Sequence, residues 1–291
     1  MAGGLKEVRS RIVSIQSTRQ ITQAMKMVSA AKLRRAQDAI TRMRPYAQKL
    51  QEILANVSSS LDASEGLYSV QRDVKKVLLV AVTSNRGLCG GFNNNVIKEC
   101  KRLAADEYNG KEVHILSLGK KANDAFRRTS WNKTQGFSDN PSAVFDNLTF
   151  EHAAGIAQTI MDKFVNAEYD KVVLVYNQFR NAAVQVVQSE QMLPVVPVEG
   201  NTTASADYIF EPSRAEIVER IIPNSLKVQL FKALLDSFAS EHGARMTAMH
   251  KATDNASELL RDLKLSYNKA RQAAITNEIL EIVGGAEALN G

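Results

Sequence analysis

The sequence predicts an α/β fold in which a mainly parallel α/β domain is inserted between two long terminal helices that pair as an antiparallel coiled coil. Three observations predict it. Apolar residues recur at steps of three and four through both ends of the chain. Short β-branched runs alternate with helical stretches in the middle, and turn-forming residues separate the regions. The expected division is an N-terminal shaft helix over 1–60, a globular domain over 72–212 and a C-terminal shaft helix over 213–291.

The first helix places Leu5, Val8, Ile12, Ile15, Met25, Val28, Leu33, Ala36, Ile40 and Met43 on one stripe. Thr18 and Thr22 interrupt that stripe, and Pro45 is expected to bend or restart the helix before a second piece over 46–60. In the middle, strands are expected over 77–82, 113–118, 172–176 and 183–189. Helices are expected over 96–108, 120–128 and 149–167. The segment 194–213, with Gly200, Asn201 and Pro212, reads as a linker.

The last helix is expected from Pro223 to the paired Gly284 and Gly285. Its seam runs through Met249, Ala252, Ala256, Leu259, Leu263, Tyr267, Ala270 and Ala274. About sixty residues at a 1.5 Å rise make roughly 90 Å of helix, too long for a compact body of this chain length. Such a helix projects from the body or lies against a partner. The many alanines on both terminal helices let their axes approach closely, and a rod that thin buries little apolar surface, so its tips are expected to fray in isolation.

Composition excludes several classes. With 44% hydrophobic and 23% charged residues the chain is of ordinary globular type. No window approaches eighteen uninterrupted apolar residues, and the start MAGGLKEVRSR resembles neither a secretory signal nor a transit sequence. Cys89 and Cys100 are too few for a disulfide framework and are not spaced as metal ligands. Residues 1–50 hold eleven Lys or Arg against Glu7 and Asp38, so this segment is +9 while the whole chain is +6. A helix this basic suits nucleic acid, an anionic membrane face or an acidic protein, or is a solvated face.

The stretch NRGLCGGFN at 85–93, three glycines behind the apolar run VLLVAV, raises the question of a phosphate loop. A Walker loop needs Gly-Lys-Ser/Thr, and this segment has neither the lysine nor the hydroxyl. Gly119-Lys120 has His114 in place of the first glycine and Lys121 in place of the hydroxyl, and a dinucleotide fingerprint cannot be laid over Gly87, Gly90 and Gly91. A tight strand-to-helix turn is the expectation. His114, His152, His242 and His250 belong to no metal-ligand cluster. No Gly-x-Ser-x-Gly elbow exists, and Glu278 and Glu281 read as a helix surface pair. No catalytic residue, cofactor or metal is expected. Polar residues do gather in and beside the last seam: Arg245, Asp254, Asn255, Asn268, Arg271, Gln272, Thr276 and Asn277. They suit solvent, a second protein or the register-setting positions of a coiled coil.

Four segments then resemble the gamma subunits of F-type ATP synthases: 9–37 (RSRIVSIQSTRQITQAMKMVSAAKLRRAQ), 84–93 (SNRGLCGGFN), 240–260 and 267–289. The likeness covers both termini and the middle motif in order, while 107–200 matches in character more than in letters. The resemblance implies a central stalk. Its paired helices would stand inside a ring of three alpha and three beta subunits, and its Rossmann-like domain would sit on the membrane c-ring beside the epsilon subunit.

By that resemblance, Arg86 meets the acidic segment of the beta subunits, with Met25 and Lys26 near it, and Cys89 is a packed small residue. Arg271, Gln272 and Thr276, with Arg245 as a further candidate, would contact a beta loop, and Tyr208 would lie at the foot on the c-ring. The role implied is coupling of proton (or sodium) flow to ATP synthesis or hydrolysis by a non-catalytic rotor. The place implied is the cytoplasmic side of a bacterial inner membrane, in peripheral association and without nucleic acid. The segment 192–210 lacks the cysteines of the chloroplast regulatory insert, so thiol control is not expected. The alternative reading is a basic coiled-coil nucleic-acid-binding protein using Arg34, Arg35, Arg42 and Arg44, although Tyr46 is the only aromatic beside them. An α/β enzyme is a third reading.

Overall fold

The computed structural model describes residues 2–58, 67–134, 137, 140–195 and 214–290. Helix α1 (Ala2–Ser58) leads to strand β1 (Lys76–Val82), helix α2 (Phe92–Arg102) with a π-turn over Leu103–Glu107, and strand β2 (Glu112–Leu118). Helix α3 (Lys120–Phe126), helix α4 (Phe150–Val165), the hairpin of β3 (Lys171–Phe179) and β4 (Gln185–Leu193), and helix α5 (Arg214–Asn290) follow. The sheet order is β2-β1-β3-β4. β1 runs parallel to β2 and β3, and β4 is an antiparallel edge strand. The expected α/β class and mainly parallel sheet are observed.

Two compact units divide the chain. One comprises 1–29 with 246–291, and the other is the continuous stretch 30–245. Both boundaries fall inside α1 and α5, not at their junctions with the sheet.

The larger unit is built around strands that are apolar on both faces. β1 is buried at every position from Val77 to Val82, as a parallel strand covered on two sides must be. On one face, Leu78, Val80, Val172 and Leu174 meet Ile160, Met161 and Phe164 of α4 and Leu226, Leu230 and Leu234 of α5. On the other face, Leu79, Ile115 and Val173 meet Val96 and Cys100 of α2 and Ala122 and Phe126 of α3.

The helix pair is antiparallel within each unit. Thr22 faces Thr253 and Lys26 faces His250 in the smaller one, and Tyr46 accepts a hydrogen bond from Asn224 in the larger. Three seam positions differ from the expectation. Thr22 and Ser29 point inward at 8% and 2% exposure while Val28 is 58% exposed, Leu260 is buried where Leu259 was expected, and Ala270 is exposed. Regular three-four spacing from Leu33 back to Thr22 passes through Ser29, so helix geometry overrides side-chain polarity there.

Pro45 and Pro223 do not interrupt their helices, because packing on both sides outweighs the loss of one backbone hydrogen bond. β4 starts later than expected. The Asn181 side chain accepts the amides of Ala183 and Val184 and folds that stretch into the hairpin turn. α2 starts earlier, at Phe92, and the linker expected over 194–213 lies almost wholly outside the described residues.

Candidate functional site

The turn after β1 is held by its own side chains. Asn93 Oδ1 accepts the amide of Ser84 at 2.9 Å, while Asn93 Nδ2 donates to Ser84 Oγ at 2.9 Å and to Cys89 Sγ at 3.1 Å. Ser84 Oγ passes its own hydrogen to the Arg86 carbonyl at 2.6 Å. Leu88 and Gly90 both take positive φ, 63° and 60°. That conformation is ordinary for glycine and costs a leucine, yet Leu88 is 66% exposed.

Two features oppose phosphate binding at this end of the sheet. At Gly119-Lys120 the first amides of α3, which a phosphate would need there, are already used: Lys120 N–H donates to Asn85 Oδ1, Lys121 N–H to the Ser84 carbonyl and Ala122 N–H to Thr83 Oγ1. The crevice beyond the strand ends, where open α/β sheets take ligands, is occupied by the chain itself. Asn177 Nδ2 donates to the Phe92 carbonyl, and Ser240 Oγ of α5 donates to the Asn177 carbonyl.

Arg245 locks this arrangement from α5. It is 7% exposed, and its guanidinium donates to the carbonyls of Gly87 and Arg86 and to the Glu241 carboxylate one helical turn earlier. Burial pushes the Glu241 carboxyl above the usual carboxylate range even with that guanidinium beside it. Burial likewise raises the Cys89 thiol. Cys89 is therefore a protonated packing residue, as the resemblance implied. Arg86 keeps its side chain exposed while its backbone is fixed.

His242, next to Glu241, stacks edge-on against Phe238 with ring centroids 4.5 Å apart. Neither ring nitrogen has a partner among the described residues. Burial, with Lys32 and Arg245 adding positive charge, lowers its pKa to about 4.

In the smaller unit, Met25 and Lys26 are half-buried, and Lys26 Nζ lies 3.3 Å from His250 Nδ1. His250 Nδ1 is in turn 3.4 Å from Asp254. Arg271, Gln272 and Thr276 are exposed on the last third of α5, where Thr276 returns its hydroxyl to the Gln272 carbonyl at 3.0 Å. Around and beyond them Ile275, Ile279, Leu280, Ile282 and Val283 are 48–71% exposed. Tyr208 lies outside the described residues.

Sequence reasoning brought forward Arg86 and Arg245 separately and missed Glu241, Asn93 and Asn177, which bind the turn to α5. A pairing of Glu241 with Arg245 was available from their i, i+4 spacing. Their joint attachment to a loop more than 150 residues away was not. Among the described residues no group of three or more His, Cys, Asp or Glu is gathered, and no helix is long and apolar enough to cross a membrane.

A family model described as ATP synthase matches residues 4–289. The chain is 64% identical to the ATP synthase gamma chain of Flavobacterium johnsoniae over 99% of both sequences. It is 50% identical to that of Cytophaga hutchinsonii over 98% of this chain and 99% of the relative. Among solved structures, the central stalk and c-ring of the Tetrahymena thermophila mitochondrial ATP synthase contain a chain 28% identical at a TM-score of 0.56, covering 80% of this chain and 99% of that one. A chain of the Euglena gracilis mitochondrial ATP synthase shares the fold at a TM-score of 0.69 and 23% identity, covering 99% of this chain and 95% of that one.

Proposed function

Because the chain belongs to the ATP synthase gamma chain family, we propose that it is the non-catalytic rotor of the complex. Its paired helices turn inside a ring of three alpha and three beta subunits and couple ion flow to ATP synthesis or hydrolysis. The observation that supports this most is the end of α5, where five large aliphatic side chains stand exposed around Arg271, Gln272 and Thr276. A helix with that surface needs a surrounding partner, and a beta-subunit loop at Arg271, Gln272 and Thr276 supplies one. The occupied amides of α3 and the filled crevice support a role without nucleotide chemistry of its own.

The basic first helix is read as the face for acidic beta segments, with Met25, Lys26 and Arg86 at that contact. Attraction without locked pairs suits a surface that must slide past three similar neighbours. Arg245 acts there indirectly, by fixing the backbone that presents Arg86. An asymmetric shaft biases otherwise equivalent catalytic sites into different states, which is a coupling free energy between shaft angle and site affinity. The remaining partners are the epsilon subunit and the c-ring, with Tyr208 at the foot. Attachment is peripheral, on the cytoplasmic side of a bacterial inner membrane. The nucleic-acid reading finds no support, since the relatives that match end to end are gamma chains.

Reconstitution tests the proposal. The chain is mixed with cognate alpha and beta subunits, and the ATPase rate of any complex is compared with that of alpha and beta alone. A complex containing one copy of this chain and a rate that falls at least tenfold in R271A/Q272A are expected. A complex that does not form, or that is indifferent to both substitutions, overturns it.

A further inference from the structure

A cleft of about 600 Å³ opens in the larger unit at the end of the sheet where its parallel strands begin. It lies at the opposite strand ends from the turn that carries Arg86. Its volume is within the range of small-ligand sites. Lys76 at the start of β1, His114 in β2, Tyr169 just before β3, and Arg127, Lys133 and Lys163 from the connecting segments line it.

The floor is rigid and its polar groups are already used. His114 Nε2 lies 3.0 Å from a Glu112 oxygen and Nδ1 lies 3.1 Å from the Tyr169 hydroxyl. Burial lowers the His114 pKa, so the ring is neutral at physiological pH. With one proton to place, Nε2–H donates to the carboxylate and Nδ1 accepts from Tyr169. Tyr169 is 5% exposed, packs edge-on against His114 and lies beside the ring of Phe137.

The rim, in contrast, holds more positive charge than the described residues neutralise. Lys76 lies 3.8 Å from Glu112, which His114 also engages, and Lys163 pairs with Glu168 at 2.7 Å while stacking over Phe137. Arg127 and Lys133 have no ion-pair partner among the described residues, and both are exposed. Four cations therefore converge on one concavity against Glu112 and Glu168. A fixed wall with unspent guanidinium and ammonium donors is the arrangement that receives phosphate oxygens.

We propose that this cleft binds a compact anion bearing two or more phosphate groups, held chiefly by Arg127 and Lys133 with Lys76 and Lys163 at its edges. The same chemistry belongs to a free phosphorylated metabolite and to a phospholipid headgroup. The site is independent of the shaft and of the proposed coupling role, so neither stands or falls with the other.

The full-length chain, without alpha and beta subunits whose own phosphate binding would confuse the signal, is titrated with tripolyphosphate by calorimetry. It is also sedimented with phosphatidylcholine vesicles containing cardiolipin, whose headgroup bears two phosphates. Saturable 1:1 tripolyphosphate binding that weakens about tenfold or more in R127A/K133A supports a free ligand. Vesicle binding lost in that variant, with no tripolyphosphate binding, supports a headgroup. Binding in either arm is expected to weaken as salt rises. R34A/R35A, on the basic first helix, serves as the control and leaves the cleft intact. Absence of binding in both arms overturns the proposal. So does binding that persists in R127A/K133A but is lost in R34A/R35A.

Discussion

The two units solve the same packing problem with opposite materials. In the larger one, a sheet buried on both faces is covered by α2 and α3 on one side and by α4 and α5 on the other, with Phe126, Phe164 and Leu174 fully enclosed. In the smaller one, two helices share a seam of Thr22, Ser29, Met249, Ala256 and Leu260, and Ile279, Leu280 and Ile282 remain exposed. The first derives its stability from its own core, since each large buried apolar side chain contributes roughly 1.5–3 kcal/mol. The second is too thin for that and relies on what surrounds it. A change of the same chemical kind should therefore cost much more in residues 30–245 than in 1–29 or 246–291.

The largest expected effect is at Arg245. R245A would leave the buried Glu241 carboxylate without its partner and release the Gly87 carbonyl, at a cost of about 3–5 kcal/mol in urea unfolding at neutral pH. The pH dependence has a definite sign. Glu241 already has a raised folded pKa, and loss of the guanidinium raises it further. A carboxyl raised on folding binds more protons when folded, so its stability contribution is full below the unfolded pKa and is lost as pH rises through the folded one. R245A should be weakest near pH 8 and recover toward pH 5. Equal destabilisation at both pH values would show that Glu241 is not the group left stranded.

That pair also marks where the sequence stops being legible. The strands over 77–82, 113–118 and 172–176 were readable as short apolar, β-branched-rich runs, and the two terminal helices as long three-four repeats. The ends of elements were not, because Asn181 and Asn93 act through local side-chain hydrogen bonds that periodicity does not register. Val28 and Leu259 were placed inward because they are apolar, although a neighbouring residue held the seam position. Arg245 was singled out as a residue for a partner, yet its guanidinium is engaged within the chain. A polar residue in a helix stripe has the same letter whether it faces a partner or a distant loop of its own chain.

His242 should show the next largest effect. Its pKa falls from an ordinary 6.5 to about 4 on folding, so the unfolded chain binds the proton first. The contribution is fully present above pH 6.5 and is lost as pH falls toward 4, amounting to about 3 kcal/mol across that window. H242L removes the titrating ring together with its two nitrogens, which have no partner among the described residues. The variant should match or exceed the parent at pH 7 and show a flatter stability profile between pH 6.5 and 4. A profile as steep as the parent's would assign the acid sensitivity to other groups.

The smallest effect is expected in the smaller unit, where the comparison is sharpest. Thr253 Oγ1 lies 2.8 Å from Thr22 Oγ1, and Thr22 donates to the Arg19 carbonyl at 3.0 Å. T22V alone leaves the Thr253 hydroxyl facing a methyl group and should cost about 1 kcal/mol or less, because Thr253 can turn its hydrogen to the Met249 carbonyl 2.8 Å away. T22V/T253V replaces both hydroxyls with methyls of similar shape and should be neutral or slightly stabilising. Hydrogen exchange of the amides over 246–260 in the isolated chain reads the difference directly. If the double variant lost as much protection as R245A loses in the sheet, the threonine pair would be a principal source of stability in these helices, and their reliance on surrounding subunits would have to be abandoned.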